Sequence, residues 1–162
     1  MTPEFITIGV YGFDEEAFFQ ALQDAGVTTF CDIRQRRGLR GSTYAFANSQ
    51  RLQARLAELG IRYLHRKDLA PTPEVRARQD AADKRNKVAK RQRTTLGPEF
   101  IAAYREEVLA DFDARQFVEE LGPDAGVVAL FCVEREPAAC HRSLVAERLE
   151  ADMGVEVQDL TP

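Results

Sequence analysis

Short apolar segments alternate with longer helical segments along the chain, and this alternation restricts the fold more than any other feature. Residues 126–134 (GVVALFCVE) are apolar and valine-rich, which is typical of a strand buried on both faces. Similar runs occur at 5–10, 27–33, 61–65 and 155–160, and no tight hairpin signal such as Asn-Gly separates them. The pattern predicts a single three-layer α/β domain over residues 1–162, with a mostly parallel sheet of about five strands and helices on both faces.

Capping residues and prolines indicate where the helices begin. Asp14 is placed to cap the first helix, and Thr72 precedes a long helix that is predicted from Pro73 towards Arg93. That long helix has almost no apolar stripe, so it is exposed, bound to a partner or only partly formed. We interpret residues 66–95 as a basic insertion in the domain, and we expect the final helix to start before residue 140.

The composition excludes several classes of protein. Charged residues make up 30% of the chain, and no apolar run approaches the length of a membrane span. The N-terminus lacks the basic and apolar layout of a secretory signal, and three cysteines without paired spacing do not form a disulfide framework. We therefore expect a cytoplasmic protein with reduced thiols and no membrane partner.

Charge is unevenly distributed along the sequence. Residues 34–93 contain 17 lysines and arginines against 5 aspartates and glutamates, a net of +12, although the whole chain carries −4. Such a block can bind a nucleic-acid backbone, with Arg36, Arg37 and Arg40 as candidate contacts. The alternative is a solvated helix with scattered charge, which is the usual meaning of a charged run.

Polar residues follow the predicted strands at their carboxyl ends, where open parallel sheets bind ligands. The residues after the first, second and central strands that we single out are Gly9, Tyr11, Asp32, Arg34, Glu134, Cys140, His141 and Arg142. We expect Arg142 and Arg34, with Gly9 and Tyr11 nearby, to hold a phosphorylated or nucleotide-type anion. Glu134 or Asp32 would then serve as acid or base, assisted by Cys140 or His141.

The Cys140-His141-Arg142 tripeptide admits two interpretations. In the first turn of a helix, its backbone N–H groups and the helix dipole favour an anion and a Cys140 thiolate. In the second interpretation, Cys140 packs in the core, His141 forms a hydrogen bond with a loop carbonyl, and the tripeptide only caps the helix. Cys132 is expected to be a buried, inert thiol. A carboxylate just past a strand is more often an ion-pair partner than a general base, and Asp32 is expected to pair with Arg34.

We assign no metal and no cofactor from the sequence. Two histidines exclude a multi-histidine metal site. Zinc held by Cys132, Cys140 and His141 is an alternative, but adjacent residues on a helix point about 100° apart, which argues against joint ligation by Cys140 and His141. The pair Gly9-x-x-Gly12 falls short of a dinucleotide-binding fingerprint. The oligomeric state stays open.

Four sequence motifs together resemble the domain of unknown function 488 family. They are Thr7-Ile8-Gly9, Asp32-Ile33-Arg34, the stretch LAELGIRYLH, and Cys132-x-Glu134-x-x-Pro137-x-x-Cys140-His141-Arg142. The resemblance spans nearly the whole chain and implies a compact, Rossmann-like α/β fold. It also implies a shared polar site at the motif positions, without implying a particular reaction.

Overall fold

The computed structural model describes residues 2–89 and 93–162, and its centre is a five-stranded parallel sheet. The strands are β1 (Glu4–Ile8), β2 (Val27–Asp32), β3 (Arg62–His65), β4 (Val127–Phe131) and β5 (Val157–Leu160). Their order is β3-β2-β4-β1-β5, and every neighbouring pair is parallel. The predicted three-layer α/β class is confirmed.

Helices connect the strands and cover both faces of the sheet. In the described parts of the chain they are α1 (Glu15–Asp24), α2 (Ser49–Glu58), α3 (Pro73–Arg85), α4 (Pro98–Glu107), α5 (Ala114–Leu121) and α6 (Arg142–Met153). Since parallel crossovers are right-handed, α1 and α2 lie on one face and α3 to α6 on the other. None of these helices combines the length and apolar character that crossing a membrane requires.

Aromatic side chains form the core on each face. Phe18 of α1 lies with its ring centroid 5.6 Å from Phe131 of β4 and 6.4 Å from Phe30 of β2. On the opposite face, Phe117 of α5 stacks 6.2 Å from Phe5 of β1. Both faces of the sheet are therefore buried, as the continuous apolar runs of the strands require.

The predicted long basic helix is shorter than expected. The Thr72 hydroxyl accepts a 3.3 Å hydrogen bond from the Val75 N–H and caps α3 as predicted, but the helix ends at Arg85. Lys87 follows with a left-handed φ of 55°, which stops helical propagation. The remainder of the prediction, towards Arg93, runs through residues 90–92, which lie outside the described residues.

Helix α3 packs against α4 through small and polar side chains. Val75, Gln79 and Ala82 are buried, and the Gln79 Oε1 atom accepts a 2.7 Å hydrogen bond from the Gly97 N–H. A Cβ atom on Gly97 would lie 3.2 Å from the Ala82 Cβ atom, so glycine allows the two segments to approach closely. The lack of an apolar stripe therefore does not make this helix an exposed appendage.

The final helix begins later than predicted. Pro137–Ala139 form a 3₁₀ turn, Cys140 is extended at φ −130° and ψ 144°, and α6 starts at Arg142. The Cys140 N–H donates to the Pro137 carbonyl and the Ser143 N–H donates to the Cys140 carbonyl. The Cys140 and Ser143 N–H groups are therefore already bonded, and Cys140 and His141 precede α6 instead of forming its predicted first turn.

The loops that follow β1 and β4 approach each other closely at Gly9. The Val10 and Tyr11 N–H groups donate to the Val133 carbonyl at 3.1 and 3.0 Å. A Cβ atom on Gly9 would lie only 1.8 Å from the Glu134 carbonyl oxygen. Glycine at this position is thus required by the neighbouring backbone.

We expect Gly9→Ala to destabilise the fold, since the added methyl group forces the backbone of the β4 loop to shift. Overpacking of this kind costs about 1–3 kcal/mol, measurable as a lower midpoint of urea unfolding. Gly38→Ala is the matched control, because a Cβ there would meet no atom closer than 4.0 Å. Equal midpoints for the two variants would contradict this packing argument.

Candidate functional site

A cavity of about 380 Å³ opens at the carboxyl edge of the sheet. The chain leaves β2 towards β3 on one side and leaves β4 towards β5 on the other, so the crevice between β2 and β4 is a topological switch point. Residues directly after both strands line the cavity, among them Arg34 and Cys132. Helix α3 forms a further wall through Arg76, Gln79 and Asp80.

The cavity collects most of the residues singled out from the sequence. The predicted residues that line it are Tyr11, Arg34, Arg36, Arg40, Glu134, Cys140 and His141. The predicted residues that do not line it are Gly9, Asp32, Arg37 and Arg142. The shared location at one sheet edge follows from the parallel topology, whereas the exact lining depends on loops.

Asp32 forms a buried ion pair with Arg34. Its two carboxylate oxygens accept from the Arg34 Nε and Nη2 groups at 2.9 and 2.8 Å, and Oδ2 also accepts from the Tyr63 hydroxyl at 2.7 Å. The Arg34 Nη1 group donates to the Ala47 carbonyl, and the guanidinium lies 4.7 Å above the Phe131 ring. Asp32 therefore positions Arg34, which is the ion-pair interpretation raised from the sequence.

Arg142 holds the backbone of the β4 loop. Its side chain is fully buried, and Nη1 and Nη2 donate to the carbonyls of Glu134 and Arg135 at 2.7 and 3.3 Å. Its Nε atom is buried without a hydrogen-bond partner among the described residues. The geometry gives Arg142 a positioning role behind the cavity, in place of the predicted direct contact with an anion.

The floor of the cavity holds a cluster of Cys132, Cys140 and His141, hereafter the Cys/His cluster. The His141 Nδ1 atom lies 3.7 Å from the Cys132 sulfur and 3.8 Å from the Cys140 sulfur. Cys132 is buried as predicted, but it is the first residue after β4, and its sulfur also lies 3.7 Å from the Glu134 Oε2 atom. The argument that Cys140 and His141 diverge on a helix is wrong, because both precede α6.

The His141 ring is oriented by the backbone of the loop after β2. Its Nε2 atom lies 2.9 Å from the Ile33 carbonyl oxygen, which can only accept a hydrogen bond. Nε2 therefore carries the proton, and in a neutral ring the Nδ1 lone pair points at the two sulfurs. This arrangement permits two kinds of chemistry, namely an activated thiol or a soft metal site.

Electrostatics favour a thiolate at Cys140. Burial raises the pKa of this thiol, but a hydrogen bond from Cys132 and the charges of His141 and Arg142 outweigh burial and hold the pKa well below its usual value. Burial lowers the pKa of His141, but the charges of Cys140 and Glu134 and the hydrogen bonds to Cys140 and the Ile33 carbonyl together outweigh burial and raise this pKa. Burial and the neighbouring Cys140 raise the pKa of Cys132, so Cys132 is the donor of the pair.

The third cysteine lies apart from the cluster. Cys31 is fully buried in β2, and burial raises its pKa to about 12. All three cysteines are free thiols, and the sequence also predicted reduced thiols. Cys31 is thus a chemically matched residue for comparison with the two cysteines of the floor.

Arg93 is a cavity residue that the sequence did not indicate. Its Nη2 group donates to Glu134 Oε1 at 2.6 Å, its Nη1 group to Asp83 Oδ2 at 2.7 Å, and its Nε group to the Ala139 carbonyl at 3.3 Å. It therefore ties α3 to the floor of the cavity. Its only signal was membership of the basic block, and the partner Glu134 lies 41 residues away.

Part of the basic block is paired with acids from other parts of the chain. Many of its arginines pair with acids from outside the block: Arg51–Glu15, Arg66–Glu120, Arg78–Glu107, Arg85–Glu99 and Arg93–Glu134. Charges that are segregated in the sequence are therefore partly mixed on folding. The arginines at the mouth of the cavity differ, because among the described residues no carboxylate lies within ion-pairing distance of Arg36, Arg40 or Arg76.

We expect Arg142→Ala to lower the free energy of unfolding by about 3 kcal/mol, because two buried carbonyls lose a charged donor and a void is left. Urea unfolding monitored by circular dichroism measures the change. Arg105→Ala is the control, since its 3.2 Å pair with Glu147 is exposed and such pairs contribute about 0–1 kcal/mol. Similar losses for both variants would contradict the positioning role.

Comparison with known proteins places the chain in a family. A family model described as Domain of unknown function DUF488 matches residues 14–149, which is most of the chain. No curated protein and no solved structure matches this chain. The matched region contains the Asp32–Arg34 pair and the entire motif from Cys132 to Arg142. The chain therefore belongs to the DUF488 family, as that motif predicted.

Proposed function

We propose that this protein binds a small phosphorylated or nucleotide-type molecule in the cavity between β2 and β4, as an enzyme acting on that molecule. The anionic group is held at the mouth by Arg36, Arg40 and Arg76, and the rest of the ligand extends towards the floor. The observation that carries the proposal is the combination of three arginines without carboxylate partners, among the described residues, with a floor of thiol, imidazole and carboxylate groups.

The division between bound and available arginines supports this assignment. The inner arginines are engaged, Arg34 by Asp32 and Arg93 by Asp83 and Glu134. Arg36 and Arg40 are exposed and Arg76 is half-buried, so their guanidinium groups can bind phosphate oxygens in bidentate fashion. Because a buried arginine must have internal partners, the available positive charge is concentrated at the mouth.

The size and the apolar part of the cavity support a small organic ligand. A volume of about 380 Å³ falls within the range of small-molecule sites, roughly 300–1,000 Å³. Tyr11, Leu39, Leu96 and Phe100 supply apolar and aromatic surface that suits a nucleobase or a comparable ring. Inorganic phosphate alone would leave this surface uncovered.

Glu134 is the group best placed to transfer a proton. It lies on the floor beside the Cys132 sulfur, and its ion pair with Arg93 keeps the carboxylate in a fixed position. Asp32, the other carboxylate considered from the sequence, does not line the cavity. The acid–base role therefore goes to Glu134, and Arg34 and Arg142 support the walls.

Binding of nucleic acid by Arg36, Arg37 and Arg40 stays a prediction from the sequence. The Arg37 Nη1 group donates to the Tyr63 hydroxyl at 3.5 Å, and Arg37 does not line the cavity. The ion pairs described above also neutralise five arginines of the basic block. A small ligand therefore suits the arrangement better than a long polyanion.

We expect Arg76→Ala to weaken binding of adenosine 5′-diphosphate or pyrophosphate about tenfold or more, because a charged hydrogen bond contributes about 1.5–3 kcal/mol. Isothermal titration calorimetry measures the affinity. Arg78→Ala is the matched control on the same helix, since Arg78 pairs with Glu107 and does not line the cavity.

Two results would contradict the proposal. One is that neither probe binds the folded wild-type protein at millimolar concentration. The other is that Arg76→Ala and Arg78→Ala lose affinity equally. Tight binding of a generic oligonucleotide, with an affinity that falls steeply with salt and exceeds that for the small probes, would favour the nucleic-acid alternative.

A further inference from the structure

We propose that the Cys/His cluster is a zinc site, with Cys132, Cys140 and His141 as three protein ligands and the fourth position open to the cavity. The three donor atoms all lie within 4.8 Å of one another, and all three residues are buried and line the cavity. This inference goes beyond the binding function proposed above and does not depend on the mouth arginines.

The spacing of the donor atoms matches tetrahedral zinc. Zinc–sulfur bonds of about 2.3 Å and zinc–nitrogen bonds of about 2.0–2.1 Å place sulfur and nitrogen about 3.6 Å apart. The Nδ1–sulfur distances here are 3.7 and 3.8 Å. A zinc ion therefore fits if these two nitrogen–sulfur distances change by a few tenths of an ångström.

The histidine is prepared for metal binding by its environment. A ligating histidine typically donates its second ring N–H to a carbonyl or carboxylate, which fixes the tautomer and directs the free lone pair at the metal. His141 has this arrangement, because Nε2 faces the Ile33 carbonyl at 2.9 Å and Nδ1 faces both sulfurs. Hydrogen bonds among the thiols alone would not require the His141 Nδ1 atom to face both sulfurs.

The donor set and the charge favour zinc. Thiolate and imidazole ligands suit zinc, and they do not suit magnesium or calcium, which prefer oxygen. Two thiolates and a neutral imidazole cancel the charge of the divalent ion, so the buried cluster becomes neutral when both thiols release their protons to solvent. Three protein ligands with one open position are typical of catalytic zinc sites.

Glu134 lies outside the ligand set. Its Oε2 atom lies 3.7 Å from the Cys132 sulfur, its Oε1 atom is held by Arg93, and it is not among the three residues whose donor atoms cluster. The fourth position is therefore left to an oxygen from water or from a bound ligand. Glu134, beside the Cys132 sulfur, would be the carboxylate available to accept a proton there.

Zinc content of the purified full-length protein tests the site. After incubation with zinc and exhaustive dialysis, we expect about one zinc per chain by elemental analysis, and at least tenfold less in Cys140→Ser and in Cys132→Ser. Cys31→Ser is the matched control, since it removes an equally buried thiol outside the cluster and should keep the wild-type content. Circular dichroism verifies that each variant is folded.

A second measurement covers variants that fail to fold. Cobalt(II) added to the wild-type protein should give an intense thiolate-to-cobalt charge-transfer band and tetrahedral d–d bands, and zinc should displace them. Wild-type protein without zinc and without that band would overturn the site. Equal zinc contents in folded Cys140→Ser and wild type would also overturn it, and would leave the cluster as hydrogen-bonded thiols.

The two proposals can fail separately. Arg76→Ala should keep about one zinc per chain while losing affinity for pyrophosphate. Stoichiometric zinc in a protein that binds neither anionic probe would support the metal site and count against the proposed function. Binding of the probes by a protein that takes up no zinc would support the proposed function and count against the metal site.

Discussion

Burial of the Arg142 guanidinium is the constraint on which the candidate site depends. Its donors reach the carbonyls of Glu134 and Arg135, so the loop after β4 cannot move away without leaving a buried charge without acceptors. Gly9 permits the arrangement, since any side chain there would collide with the Glu134 carbonyl. One side chain at the start of α6 thereby fixes the backbone that carries Cys132 and Glu134. The two residues before it in the chain, Cys140 and His141, complete the floor.

The same guanidinium sets the electrostatics of the floor. Among the described residues no carboxylate lies within ion-pairing distance of Arg142, and its two acceptors are neutral carbonyls. Burial opposes ionisation of Cys140, but the neighbouring thiol and the charges of His141 and Arg142 lower its pKa. An anionic sulfur is therefore the natural compensation for the buried cation. If zinc were bound by the two thiolates, the metal and its ligands would be neutral, and the Arg142 charge would favour an anionic ligand beside them.

The sheet and its functional edge could be predicted from the sequence, because apolar runs identify buried strands and parallel topology brings their carboxyl ends together. The Asp32–Arg34 pair is similarly local. The extended backbone of Cys140 depends on a 3₁₀ turn that replaces the first turn of the expected helix, and no periodicity reveals it. Burial of α3 depends on Gly97, and the anchoring of Glu134 depends on Arg93, 41 residues away. Such long-range contacts leave no pattern in the local sequence.

The depth of each arginine in the cavity determines what it can do. Arg34 and Arg93 are desolvated, so buried carboxylates must neutralise their guanidinium groups. These ion pairs hold the walls of the cavity in place. Arg36 and Arg40 keep their hydration and remain available to an incoming anion. In the proposed function, a phosphorylated ligand would therefore place its charge at the mouth and direct its less polar part towards the Cys/His cluster. Affinity and chemistry would then reside at opposite ends of one cavity, which is why substitutions at the mouth and at the floor should have separable effects.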